Sequence, residues 1–285
     1  MNDGMERLRV VLVATRNPLN MGAVARAMSN FGALHLRVVK PYERAYREAV
    51  SAVGASAVMK EAEEFASVAE AVADCTLVVG TTAVGNRDVR QPLMGLQQAG
   101  RVIRERLETS RVALLFGSEK RGLSNEDISY CHWLLQIPTR EEHRSMNLGQ
   151  AAAVCLYELA RKELTIAGAV GPQSTLRGEE VNNSKSKVER MKNPRSPEGE
   201  IGKVKLENGN SKSNDAKQFA EMETVERITE TWLEALQRSG YVGARARSTA
   251  EQKLRRMLRR FTMEERDAEV VLGMIKKIVG KLQKE

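Results

Sequence analysis

The stretch LRVVLVATRNPLNMGAVARAMSNFG, residues 8–32, runs from an apolar segment through a polar turn at Pro18 into small and apolar residues at helical spacing. An unbroken apolar run such as LRVVLVA (8–14) suits a strand buried on both faces, the signature of a parallel sheet. The same kind of run recurs in LHLRVV (34–39), TLVVG (76–80), VALLFG (112–117) and WLLQI (133–137), each bounded by Gly, Pro or polar residues. Helices are expected between and after them at 22–31, 43–53, 61–73, 95–108, 124–130 and 147–164. This alternation predicts an α/β domain over residues 1–168, a mostly parallel sheet covered by helices.

With 285 residues and 42% hydrophobic content the chain has the material for a sizeable core and one to two domains. No run approaches the 18 apolar residues of a membrane span, and MNDGMERLRVV lacks the apolar core of a secretory signal. A soluble cytoplasmic protein with no membrane partner is expected. Cys75, Cys131 and Cys155 are odd in number, widely spaced and set among apolar residues, which fits reduced core thiols and gives no reason to expect zinc or another metal.

Beyond the α/β pattern, residues 169–216 mix both charges with Gly, Ser, Asn and Pro and contain no aromatic residue, a composition that buries too little to offset the entropy of ordering. They read as a flexible linker with a random-coil span of roughly 35–40 Å, enough to place the C-terminal segment over a neighbouring subunit. Residues 217–285 regain helical periodicity through Val225, Ile228, Trp232 and Leu236, then Leu254, Met257, Leu258 and Phe261, then Val271, Ile275, Ile278 and Leu282. Ser248 with Glu251, and Thr262 with Glu265, read as capping boxes that open helices. A small all-α C-terminal module is expected.

Of the net charge of +8, this last segment holds a large share, with 15 basic against 11 acidic residues. Its stretch ARARSTAEQKLRRMLRR (244–260) concentrates Arg245, Arg247, Lys253, Arg255, Arg256, Arg259 and Arg260 around the single acid Glu251. Such a cluster attracts phosphates, so these seven residues are the candidates for RNA binding; a solvated basic helix face is the plainer alternative.

Ligands of open parallel sheets bind at the C-terminal ends of strands, where three segments stand out. After the first strand come Asn17, Asn20, Gly22 and Arg26, the last able to grip a phosphate or carboxylate with its fork of donors or to form an ordinary ion pair. The fourth run ends in LLFGSEKRGLS, a glycine turn that lacks the Lys-Ser/Thr of a P-loop. The fifth leads to RSMNLGQAAAVCLYELARKEL (144–164), where Ser145 and Asn147 stand before a helix of small residues. Small side chains there make either a tight packing seam or the floor of a site. Glu119 is expected either to fix its loop by accepting backbone N–H bonds or to touch ligand or RNA.

Taken together, NPLNMGAVARAM, LLFGSEKRGLS and QIPTREEHRSMNLGQAAAV occur in the order and approximate spacing of the three signature motifs of SPOUT-superfamily RNA ribose 2′-O-methyltransferases of the TrmH-like group. Residues 8–165 resemble that family, most nearly its TrmJ type of tRNA methyltransferase. The resemblance implies S-adenosylmethionine as cofactor, a deep trefoil knot at the end of the α/β domain, a homodimer, and tRNA as substrate, methylated at a pyrimidine nucleotide that opens the anticodon loop. By the same resemblance the cofactor sits among Thr81, Thr82, Ala83, Gly117, Ser118, Glu119, Ile137, Arg144, Ser145 and Met146, and catalysis falls to Arg26, Asn20, Ser145 and Asn147. Because a guanidinium stays protonated, we read Arg26 as binding the adjacent phosphate and stabilising the developing alkoxide, with Ser145, Asn20 or a substrate phosphate relaying the proton. A ribosomal RNA methyltransferase and a non-catalytic RNA-binding protein on the same scaffold are the alternatives.

Overall fold

The structure, a computed structural model, describes residues 3–51, 57–83, 91–161 and 218–283. The expected linker, 169–216, lies outside them. The first part of the chain comprises α1 (Asp3–Glu6), β1 (Leu8–Val13), α2 (Pro18–Phe31), β2 (His35–Val39), α3 (Glu43–Ser51), α4 (Ala57–Lys60), β3 (Glu63–Phe65), α5 (Val68–Ala71) and β4 (Leu77–Thr81). It continues through β5 (Leu93–Gly95), α6 (Leu96–Leu107), β6 (Val112–Phe116), α7 (Asn125–Ser129), β7 (Trp133–Gln136) and α8 (Leu148–Ala160), the last preceded by a 3-10 turn at Glu141–His143. The C-terminal part forms α9 (Met222–Arg238), a 3-10 turn at Ala244–Ala246, α10 (Arg247–Arg259) and α11 (Glu265–Leu282).

Seven strands form one sheet in the order β3-β2-β1-β6-β4-β7-β5, and every pairing is parallel. The five apolar runs supply β1, β2, β4, β6 and β7. The two further strands, β3 and β5, have three residues each and lie at the sheet's edges, partly exposed. β3 also breaks the helix expected at 61–73, where the chain forms β3 and the single turn α5, with another single turn, α4, just ahead of them. Helix α2 starts four residues before the expected position because Asn17 caps it, its side chain accepting from Leu19 N–H, and Pro18 occupies the first turn, where its missing N–H is harmless.

One sheet face, with Val10, Leu12, Leu36, Val38, Leu77, Val79, Leu114 and Leu135, packs against α2, α6 and α8. The other, with Val11, Val13, Val39, Val78, Ala113, Leu115 and Leu134, has among the described residues of the α/β region only the short helices α5 and α7 to cover it. The C-terminal helices complete that cover: Ala220, Met222, Val225, Ile228, Leu254, Leu258 and Leu272 belong to the same apolar cluster. Residues 218–283 and the α/β region therefore form one compact unit, the expected helices being seated on the sheet of their own chain. Periodicity located these helices, and the uncovered sheet face explains where they dock. The Arg106 guanidinium lies 3.6 Å over the Phe219 ring, and Met222 and Glu223 N–H donate to the Cys75 and Ala73 carbonyls.

Neither expected capping box forms. Ser248 lies inside α10, which continues from the preceding 3-10 turn. Thr262, at φ 43°, sits in the turn before α11. The start of α11 is set by pairing with the chain ahead of α9, where Ala220 N–H donates to Met263 O and Glu265 N–H to Gln218 O. The three cysteines are buried and unpaired. No described helix is long and apolar enough to cross a membrane.

At the seam between sheet and C-terminal helices, His132 is buried and its Nδ1 accepts from Val78 N–H at 3.0 Å. Burial, with the Arg259 charge nearby, lowers its pKa to about 3. Because the unfolded ring takes up a proton near 6.5, this residue's contribution to stability is present above that pH and declines as pH falls toward the folded value. The denaturant midpoint of the protein should drop between pH 7 and pH 5 more steeply than that of His132→Asn, whose amide oxygen accepts the same N–H without titrating. Parallel pH profiles would assign the acid sensitivity to other groups.

Candidate active site

Four adjacent strands, β1, β6, β4 and β7, end on the same edge of the sheet. The loops that leave them surround a cavity of about 720 Å³ lined by Asn20, Thr81–Ala83, Phe116–Leu123, Ile128, Leu135, Ile137, Thr139 and Arg144–Leu148 with Ala151. Its walls are Phe116, Leu123, Ile128, Leu135, Ile137 and Leu148; polar groups stand at the rim. A volume of this size lies in the usual range for small-molecule sites. Every residue of the expected cofactor set, together with Asn20 and Asn147, falls on this cavity.

The loops are tied together by one carboxylate. Glu119 accepts from the N–H groups of Arg16 (3.2 Å) and Asn17 (3.1 Å) and from Asn20 Nδ2 (3.1 Å). Asn20 Oδ1 in turn accepts from Asn147 Nδ2 at 3.0 Å. The Asn147 oxygen caps α8, taking the N–H bonds of Gly149 and Gln150. A single chain of hydrogen bonds thus joins the loops after β1, β6 and β7. Partial burial raises the Glu119 pKa, but these donors together with its own N–H outweigh it and hold the carboxyl below the ordinary value. The structural alternative raised for Glu119 matches this geometry, since its oxygens serve backbone donors. Both amide ends of Asn20 and Asn147 are likewise engaged, which ties these two side chains into the loop network.

Close approach explains the small residues. A Cβ on Gly117 would lie 2.0 Å from the Gly122 carbonyl carbon, and Gly122 itself has φ 66°. A Cβ on Gly149 would lie 2.6 Å from Ala23 Cβ, where α8 meets α2. The small-residue stretch is therefore a packing seam whose polar mouth stands at the cavity rim. Thr81 donates its hydroxyl to Leu115 O at 2.9 Å, fixing the end of β4 beside β6.

Arg26 is the exception. It is exposed on α2 and does not line the cavity. Since α2 begins at Pro18, Asn20 and Arg26 both lie within it, and six residues of α-helix separate them by about 240° around the axis. The helix expected from Gly22 left Asn20 in the loop before it; the start at Pro18 puts both residues on one helix, on different faces. Of the seven basic candidates, Arg245, Arg247, Lys253 and Arg260 are exposed and Arg256 is half-buried, bonding to Gln252 O. Arg255 and Arg259 are 2% exposed and ion-paired to Glu226, so they do not face a phosphate. Sequence reading missed Leu123 and Ile128 as cavity walls; the apolar positions in and before the capped turn Ser124–Asp127 were the available signal. Among the described residues no cluster of His, Cys, Asp or Glu could hold a metal.

A parallel sheet with a walled cavity at the strand ends defines an α/β protein built to hold a small organic molecule. The chain matches the SpoU rRNA Methylase family over residues 7–157, more than half of its length, and it belongs to that family. It is 36% identical over 167 residues to the tRNA (cytidine/uridine-2′-O-)-methyltransferase TrmJ of Photorhabdus laumondii, spanning 56% of this chain and 69% of that one. It is 37% identical over 166 residues to the tRNA (cytidine/uridine/adenosine-2′-O-)-methyltransferase TrmJ of Pseudomonas aeruginosa, spanning 58% and 64%. The crystal structure of TrmJ from Z. mobilis ZM4 superimposes with a TM-score of 0.69 at 26% identity, covering 95% of this chain and 98% of that one.

Membership implies S-adenosylmethionine as methyl donor. The cavity fits such a molecule: an apolar floor suits a flat base, the glycine turn leaves main-chain groups unshielded, and hydroxyl and guanidinium groups stand at the rim. Gly117→Ala should abolish S-adenosylmethionine binding by calorimetry, because the new methyl group must displace the Gly122–Leu123 backbone. Unchanged affinity would show that this turn is not part of the site.

Proposed function

We propose that the protein transfers a methyl group from S-adenosylmethionine to a ribose 2′-hydroxyl of tRNA, at a pyrimidine nucleotide opening the anticodon loop. The observation that carries this reading is the convergence of three separated motifs on one cavity; the names of the relatives support the choice of tRNA. When bound, S-adenosylmethionine supplies an electrophilic methyl group. Thr81–Ala83, Gly117–Glu119, Ile137 and Arg144–Met146 hold and orient it, and Leu123, Ile128, Leu135 and Leu148 exclude water. In this reading the loops after β4, β6 and β7 are threaded as a trefoil knot.

With Asn20 and Asn147 committed to the loop network, the proton of the ribose hydroxyl passes to Ser145, exposed at the rim, or to a substrate phosphate. Arg26 holds the adjacent phosphate and stabilises the developing alkoxide. Because it lies off the cavity of its own chain, we place it at the seam of a homodimer built on the exposed face of α2 and α8, which presents Leu19, Val154 and Tyr157. Arg245, Arg247, Lys253 and Arg260 contact the tRNA backbone, with Arg256 beside them.

Nucleoside mass spectrometry of tRNA incubated with protein and cofactor should show 2′-O-methylcytidine or 2′-O-methyluridine. Methylation confined to ribosomal RNA would overturn the choice of substrate. Arg26→Ala should lower turnover by about 10²–10³-fold, the usual cost of one donor to a developing oxyanion, while cofactor affinity stays unchanged; Arg26→Lys should not restore the rate, and near-full turnover in it would sink the forked-donor role. The double variant Arg247→Ala/Lys253→Ala should reduce the slope of log affinity for tRNA against log salt by about one per lost phosphate contact, whereas equal slopes would remove both residues from the interface.

A further inference from the structure

The C-terminal helices bear on the cavity as well as on the sheet. Leu123 and Ile128 line the cavity on one side. On the other they belong to the apolar cluster that includes Ile228, Leu254 and Leu258 of the C-terminal helices. The connecting piece is α7, which follows directly on the glycine turn and Leu123 and opens with a capping box, Ser124 N–H donating to Asp127 Oδ2 at 2.8 Å and Asp127 N–H to Ser124 Oγ at 3.1 Å.

Arg255 of α10 grips the far end of that helix. Its Nη1 donates to Ser129 Oγ at 3.2 Å, and its guanidinium lies 4.1 Å over the Tyr130 ring. Nε and Nη2 donate to Glu226, and Nη2 also to Glu251 at 2.6 Å. The side chain is 2% exposed, and every donor direction described is spent inside the protein. A surface role in RNA binding leaves this arrangement unexplained. A planar fork that meets two carboxylates on one side while stacking on α7 at the other is a rigid strut, which a lysine could not reproduce.

We infer that Arg255 is a positioning residue for the cofactor: by holding α7 it sets the Gly117–Leu123 loop, and so makes docking of the C-terminal helices and binding of S-adenosylmethionine mutually dependent. This rests on the cofactor reading of the cavity. Linkage requires the dependence to run both ways, so cofactor binding must tighten the seat of α10, although none of its residues lines the cavity.

The test uses the full chain and S-adenosylmethionine, with calorimetry and hydrogen exchange followed by mass spectrometry. Wild type should bind the cofactor and show slower amide exchange in both α7 and α10 when it is present. Arg255→Lys and Arg255→Met, under conditions where both remain folded by circular dichroism, should bind about tenfold more weakly, within the usual span of coupling between sites, and α10 should lose its ligand-dependent protection. The surface variant Arg238→Ala should match wild type. Wild-type binding with protection confined to the cavity loops, or unaltered affinity in Arg255→Lys, would overturn the inference while leaving the cofactor site intact. No binding by wild type would overturn the cofactor reading itself. If neither variant folds, the exchange pattern of wild type decides the matter alone.

Discussion

Glu119 carries the negative charge on which the site's architecture depends. Three loops at one sheet edge expose main-chain N–H groups that have no partner in a strand ladder, and such groups are costly to leave unmet. One carboxylate meets two of them, engages the Asn20 amide, and through Asn147 reaches the first turn of α8. Charged acceptors form stronger bonds than neutral ones, which suits a residue that must hold segments about 100 positions apart in sequence. The cavity exists because these loops keep their separation, and the glycines matter because the Gly117–Gly122 turn folds back on itself and α8 abuts α2.

A second charged centre lies beneath the sheet. Arg255 and Arg259 share Glu226, with Arg259 also against the Met222 sulfur. Burial pulls the Arg259 pKa down to about 10, the Glu226 carboxylate only partly opposing it. Buried ion pairs of this kind contribute little net stability compared with well-packed apolar residues, but losing one partner is expensive because the other charge is stranded. Their value here is directional. Apolar contacts alone would let three amphipathic helices settle on the sheet in several registers, and the fork of Arg255 accepts only the one that aligns Glu226, Glu251, Ser129 and Tyr130.

Much of this was legible in the sequence. The five main strands were readable because both of their faces are buried, so that apolar residues run without alternation; β3 and β5 were not, being three residues long and half exposed at the sheet's edges. The three loops of the site were readable as glycine- and asparagine-rich breaks at strand ends. The direction of Arg26 was not, because it depends on α2 beginning at Asn17 and Pro18, a start signal outweighed by the more conspicuous Gly22. The basic cluster shows the same limit from the other side. Lys253 and Arg255 look alike in a charge count, yet one meets solvent and the other meets Glu226, 29 residues earlier in the chain. Local pattern reports that a charge is present; only tertiary packing decides which charges are spent internally.

The division of the sheet's two faces has a consequence for how the chain is made. One face acquires its helices as the α/β region leaves the ribosome. The other, with Val11, Val39, Val78 and Leu115, keeps its cover waiting for the helices of residues 218–283. Until those helices emerge, that apolar surface is open to whatever it meets, the situation that favours aggregation of partly made proteins. A chain stopped before them would then be a sticky fragment rather than a smaller working enzyme.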